Sequence, residues 1–84
     1  MATPEEIDSI IGGVDVAICT LASTLDPDTA FSLGCEWRAV LSFRALTQQE
    51  VYASLREVQE ILRSVGKRRI SNALEPLVGH FSSS

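Results

Sequence analysis

The chain has few of the residues from which metal and catalytic centres are built. Its 84 residues include one histidine and two cysteines. Structural zinc sites use four ligands that usually come in close pairs, whereas Cys19, Cys35 and His80 are widely separated. Gly12-Gly13 lacks the following lysine of a phosphate-binding loop, and His80 has no catalytic partner that the sequence reveals. We therefore expect no enzyme, no metal and no cofactor.

Aromatic residues are also scarce. Three Phe, one Trp and one Tyr are present, so the core has to be built mainly from Leu, Ile, Val and Ala, which suits helix packing. The hydrophobic fraction of 45% is too high for a disordered chain. A chain of this length forms one domain and buries only roughly 60–65% of its unfolded surface, so a second subunit often adds stability. We expect one helical domain over residues 1–81 and a flexible tail at 82–84.

No export or membrane signal is visible. The N-terminal residues are acidic where a secretory signal peptide needs basic ones. The apolar stretch 7–25 is interrupted by two aspartates and two glycines, which makes it a poor membrane span. We expect a cytoplasmic protein whose cysteines stay reduced. Cys19 and Cys35 are predicted to be buried thiols. The alternative is a disulfide between them, which requires the first two helices to form a hairpin.

Charge is divided unevenly along the chain. Residues 1–36 contain seven Asp or Glu and no Lys or Arg, a formal charge of −7. Residues 37–84 contain seven basic and four acidic residues, a formal charge of +3. One interpretation is that the two halves attract each other within the fold or across a dimer. The other is that one half presents its charge to a partner.

The strongest helical signal lies between Thr47 and Gly66. Thr47 and Glu50 have the spacing of a capping box, and Gly66 suits the left-handed residue that closes a helix. Apolar residues recur between them at steps of four and three, which predicts one buried stripe. The stripe comprises Val51, Leu55, Val58, Leu62 and Val65.

A second helix is predicted from Thr3, a capping residue followed by Pro4 at the first helical position. Its apolar stripe comprises Ile7, Ile11, Val14, Ile18, Leu21 and Leu25. Val16 and Cys19 fall on the far side, so we expect neighbours on two sides of this helix. Gly12-Gly13 predicts a kink or a close approach of another backbone. An alternative is a strand after these glycines, paired with residues 39–43.

Two further helices are predicted. Asp26 and Pro27 begin one that runs roughly from Pro27 to Ala45, with apolar residues on two sides and Gly34 allowing close approach. After Gly66, a short helix is predicted to reach about Leu74. Pro76 then interrupts it, so we expect a separate turn at residues 76–78.

These patterns predict an all-α fold, a small three-helix bundle with a short C-terminal fourth helix or turn. We expect a protein-binding module (a regulator, inhibitor or adaptor) that acts through apolar helix faces and forms a homodimer. The alternative is a nucleic-acid-associated protein that uses the basic cluster at residues 63–69, which the acidic net charge of −4 opposes. The predicted partner-binding residues are Trp37, Tyr52, Arg63, Lys67, Arg68, Arg69 and Phe81.

Overall fold

Residues 3–82 are described by a computed structural model, and within them the regular structure is entirely helical. The helices are α1 (Pro4–Ala22), α2 (Pro27–Leu41), α3 (Gln48–Ser64), α4 (Arg68–Ala73) and α5 (Glu75–Ser82), with a 3-10 turn at Phe43–Ala45. The predicted all-α class is confirmed. The alternative strand after Gly12-Gly13 is not formed, because those residues continue α1. Ser82 ends α5, and the rest of the predicted tail lies outside the described residues.

The predicted helix ends are present. The Glu6 amide donates to Thr3 Oγ1 over 3.2 Å at the start of α1, and the Thr29 amide donates to Asp26 Oδ2 over 3.0 Å at the start of α2. Thr47 and Glu50 form the reciprocal capping box of α3. These contacts satisfy first-turn amides that have no partner inside the helix.

The C-terminal end of α3 is closed by glycine as predicted. Gly66 has a φ of 80°, a conformation that costs other residues more than glycine. The Lys67 amide then donates to the carbonyl oxygen of Leu62 over 2.7 Å. This bond satisfies one of the last carbonyls of α3 and turns the chain into α4.

Two predicted boundaries are wrong. α2 ends at Leu41 instead of Ala45, because Ser42 leaves helical geometry and its amide is shared by the carbonyls of Arg38 and Ala39. The turn predicted at residues 76–78 is instead the start of α5. Pro76 is the second residue of that helix, where its missing amide hydrogen is not needed.

α3 is the central helix of the fold. It packs against α2, α4 and α5, while α1 packs mainly on α2 and α4. The predicted α3 stripe is buried from Val51 to Leu62. The other core residues, which include Leu74 between α4 and α5, are Ile7, Ile11, Val14, Ile18, Leu21, Leu33, Trp37, Val40, Leu74, Leu77, Val78 and Phe81.

Several packing predictions are wrong in an informative way. A Cβ atom at Gly12, Gly13 or Gly34 would meet nothing within 4 Å, so no other backbone approaches these glycines. Cys19 and Cys35 are exposed free thiols instead of buried ones. The far sides of α1 and α2 therefore face outward, and the described part of the chain leaves apolar surface uncovered.

Candidate functional site

The main candidate site is an apolar groove between α1 and α4. It consists of two adjoining hollows of about 320 and 360 Å³, and Ala17 and Ile70 line both of them. We call the whole feature the α1–α4 groove. Its lining residues are Ser9, Ile10, Gly13, Val14, Ala17, Thr20, Leu21, Thr24, Lys67, Arg69, Ile70 and Ala73.

The groove exists because the two facing helices carry small residues where they come together. Gly13 and Ala17 are one helical turn apart on α1, and Ala73 lies on α4. Small side chains leave open space above the helix backbones, and half-buried Ile10 and Ile70 provide apolar walls. The α1 lining extends from Ser9 to Leu21, which spans about 18 Å at the rise of a helix, and Thr24 continues it in the following loop. That length matches three to four turns of another helix.

Two predicted partner-binding residues lie on this groove. Lys67 lines one hollow and Arg69 lines the other, and both side chains are exposed. Arg68 is exposed between them and does not line either hollow. Within residues 3–82, no carboxylate oxygen lies within 4.0 Å of these three cations. The groove therefore combines apolar walls with positive charge that this part of the fold does not neutralise.

Stabilisation of the C-terminal end of α3 does not by itself explain where these cations lie. Basic residues that follow a helix complement its negative C-terminal end. Lys67, however, is also the N-cap of α4, and Arg68 and Arg69 are its first residues, where positive charge is unfavourable. The three cations therefore stand between the negative end of α3 and the positive end of α4, where the two helix-end effects have opposite sign.

Arg63 forms an ion pair within the fold, and partner binding by this residue stays a prediction. Its Nη2 lies 3.6 Å from Glu75 Oε1, and both side chains are partly exposed. The same carboxylate oxygen accepts a hydrogen bond from Gln59 Nε2 over 3.3 Å. The structure thus separates Arg63 from the groove cations and places it in a contact between α3 and α5.

Trp37 and Phe81, also predicted to bind a partner, lie in the core with 3% and 7% of their surfaces exposed. Trp37 Nε1 donates a 2.8 Å hydrogen bond to Asp15 Oδ1 and so ties α2 to α1. The Phe81 ring packs edge-on against Phe43, with ring centroids 5.8 Å apart. Tyr52 is half-buried and, with Phe81, lines a hollow of about 470 Å³ between α3 and α5. Partner binding by these three residues stays a prediction.

A buried polar cluster around Gln59 did not emerge from the sequence. Gln59 is fully buried, and its Nε2 donates to the carbonyl oxygen of Ser71 over 3.0 Å. Its Oε1 accepts from Arg56 Nη1 over 3.2 Å. Gln59 is next to Val58 of the apolar stripe in the sequence. The spacing of residues along α3 does not predict that α4 packs against Gln59. The cluster fixes α4 against α3, and thereby holds one wall of the groove.

The far side of α2 is a second uncovered surface. Phe31 has 73% of its surface exposed and lies beside a hollow of about 270 Å³. That hollow is lined by Ala30, Phe31, Gly34, Cys35 and Arg38. We call this surface the outer face of α2. The apolar residues on two sides of α2 were predicted to be packed between neighbours, and Phe31 is not.

In residues 3–82, no group of three or more His, Cys, Asp or Glu side chains is arranged to hold a metal ion. No helix in this range has the length and apolar character that crossing a bilayer requires. The chain matches no protein-family model, and no curated protein or solved structure is significantly similar to it.

Proposed function

We propose that the protein is a small cytoplasmic protein-binding module, a regulator, inhibitor or adaptor, that docks a helix of another protein in the α1–α4 groove. The observation that carries this proposal is the combination of an uncovered apolar groove with Lys67 and Arg69 on its lining. A groove of this kind suits an amphipathic helix, whose apolar face replaces water over the small residues. The proposal assigns no catalytic step to any residue.

The positive charge beside the groove indicates which kind of partner helix it binds. Lys67 and Arg69 have no carboxylate partner in the described residues, so they are available to acidic side chains that flank the apolar face of a bound helix. Exposed ion pairs contribute little affinity individually, but complementary charge sets orientation and the rate of association. The proposed partner segment is therefore an acidic amphipathic helix.

A nucleic-acid-associated protein remains the second candidate. It is favoured by the absence of a carboxylate partner for Lys67, Arg68 and Arg69 in the described residues. Two features oppose it: the apolar lining of the groove, which a phosphate backbone does not need, and the net charge of −4. The two candidates differ in the main interaction: apolar burial holds a helix, whereas attraction between cations and phosphates holds a nucleic acid.

Adjacent glycines provide a matched test of the groove. Gly13 lines the groove and Gly12 does not, yet a Cβ at either position has open space. We expect a Leu side chain at Gly13→Leu to fill the groove, while Gly12→Leu leaves it open. Both variants should keep or slightly raise the stability of α1, because leucine is a better helix former than glycine.

The binding experiment uses a synthetic helical peptide of Leu and Glu with one apolar face, and a scrambled peptide of the same composition. Isothermal titration should show binding of the amphipathic peptide to the wild type and to Gly12→Leu, and roughly tenfold or greater loss with Gly13→Leu. Equal binding by both Leu variants would contradict the groove as the docking site. Single-stranded DNA that binds more tightly than the peptide, with an affinity that falls steeply with salt, would favour the second candidate.

Self-association is also part of the proposal. A domain of this size gains stability from a second subunit, and Phe31 and Val16 have 73% and 67% of their surfaces exposed. A dimer that covers one of these surfaces would leave the groove free for a partner.

A further inference from the structure

The outer face of α2 carries an aromatic side chain, a hollow and two opposite charges along one line. Asp28, Phe31, Cys35 and Arg38 follow each other at steps of three, four and three, which places them on one side of the helix. Opposite them, Leu33, Trp37 and Val40 face the core. This arrangement leaves the outer face free to contact another molecule along about three turns.

The apolar part of this face is complementary to itself. Phe31 projects with 73% of its surface exposed, and the hollow beside it passes over Gly34, which has no side chain. A ring entering that hollow from outside would lie between Phe31 and Arg38. Both walls attract an aromatic ring, one through ring–ring contact and the other through a cation–π interaction.

The charged part of the face is complementary to itself in the same register. When two α2 helices run antiparallel with Phe31 of one opposite Cys35 of the other, Asp28 stands opposite Arg38. Within residues 3–82, Asp28 and Arg38 each lack an oppositely charged side chain within 4.0 Å. The same register therefore pairs the ring with the hollow and the acid with the base.

We infer that two copies of the chain associate through their α2 helices, antiparallel and related by a two-fold axis, with Phe31 of each copy in the hollow beside Gly34 of the other. This inference builds on the proposed self-association and uses no residue of the α1–α4 groove. A second copy is the partner that fits because ring, hollow, acid and base all lie on one surface, as a two-fold interface requires. One helix face is a small interface, so the dimer is weak.

Sedimentation velocity under reducing conditions tests the apolar contact. The wild type should show a reversible monomer–dimer equilibrium as its concentration is raised to roughly 1 mM, the range of weak complexes. Phe31→Ala should weaken the dimer by roughly tenfold or more, as expected for a central aromatic anchor. Val16→Ala is the matched control, since Val16 is 67% exposed on α1 and lies outside the interface.

Charge reversal tests the register. Asp28→Arg places two cations opposite each other and Arg38→Asp places two acids opposite each other, so each variant alone should be more monomeric than the wild type. Mixing the two variants should restore a dimer, because every facing pair is then of opposite sign. Circular dichroism of each variant verifies that α2 is still folded.

The outcomes separate the interface from self-association in general. A wild type that stays monomeric at the highest concentration overturns both. A wild-type dimer that is unaffected by Phe31→Ala, or charge variants that do not associate on mixing, overturns the α2 interface while self-association stands. Peptide binding in the α1–α4 groove is measured independently and is decided by Gly13→Leu.

Discussion

α1 and α3 are helices of similar length, 19 and 17 residues, but the fold uses them differently. α3 has a capping box at one end, a glycine closure at the other and neighbours in α2, α4 and α5. α1 packs mainly on α2 and α4, carries two adjacent glycines and leaves Val16 exposed. The comparison indicates that α3 supplies the rigidity of the domain, while α1 borders the surface that is open to a partner.

The largest expected effect is the difference in stability between leucine truncations on α3 and on α1. Leu62 on α3 is fully buried, whereas Leu21 on α1 is 6% exposed and borders the groove. We expect Leu62→Ala to cost about 4 kcal/mol and Leu21→Ala about 2 kcal/mol, because a site beside open space loses fewer contacts and leaves less of a cavity. Urea denaturation followed by circular dichroism measures both values.

Equal costs for the two truncations would contradict the division of roles. A loss of about 4 kcal/mol is most of the stability of a small domain, so Leu62→Ala has to be measured at low temperature with a stabilising salt if it unfolds in buffer. Leu21→Ala should remain folded and should enlarge the groove that Leu21 lines.

The polar contact of α3 should be the next largest effect. Gln59 is fully buried and bonds to the Ser71 carbonyl, Glu75 and Arg56. We expect Gln59→Ala to lower the free energy of unfolding by about 2–3 kcal/mol, since it leaves buried polar groups without partners. Gln49→Ala, at an exposed position of the same helix, is the control and should change stability by less than about 0.5 kcal/mol.

Failure of Gln59→Ala to exceed its control would mean that α4 is held against α3 by apolar contacts alone. Hydrogen exchange shows which helices lose stability in Gln59→Ala. The amides of α4 should lose protection in Gln59→Ala before those of α2, because Gln59 contacts α4 directly and α2 does not depend on it.

The hydrogen bond between Trp37 and Asp15 of α1 should contribute less to the free energy of unfolding than Gln59 does. Trp37 Nε1 donates to Asp15 Oδ1 at a part-buried site, with a donor–acceptor distance of 2.8 Å. We expect Asp15→Ala to cost about 1–2 kcal/mol, and Asp15→Asn to cost less because the amide oxygen can still accept the indole hydrogen. A double-mutant cycle with Trp37→Phe should give a coupling of about 1 kcal/mol. Additive effects of the two substitutions would show that the bond contributes nothing to docking of α1.

The elements that local chemistry determines were predictable from the sequence. Thr3, Asp26, Thr47 and Gly66 mark helix ends through contacts with residues a few positions away, and each is found in that role. The α3 stripe was predictable for the same reason, since its spacing alone places its residues on one face. Pro76 was misread because its effect depends on whether it stands inside a helix or in its first turn.

The surfaces were less predictable, because they depend on which helices meet. Trp37 and Phe31 are both aromatic residues of α2, yet one is 3% exposed and the other 73%. Periodicity separates their faces but does not say which face a neighbour covers. The basic cluster at Lys67 and Arg69 was visible, while its position beside Gly13 and Ala17 was not, since the cations and the small residues are fifty or more positions apart.

The smallest expected effect concerns the start of α2, at the end of the loop that leads from α1. Hydrogen bonds from the Thr29 backbone amide and side chain hold the pKa of Asp26 below its usual value of 3.8. Because the folded state binds the proton less tightly than the unfolded state, this cap stabilises the fold above pH 4, and the contribution is lost as pH falls through the lowered pKa. Asp26→Asn should keep a weaker cap without this titration. Thermal unfolding between pH 2 and pH 6 should therefore show the wild-type advantage over Asp26→Asn shrinking towards pH 2. An advantage that does not change with pH would assign the cap to geometry alone and leave the carboxylate charge without a part in it.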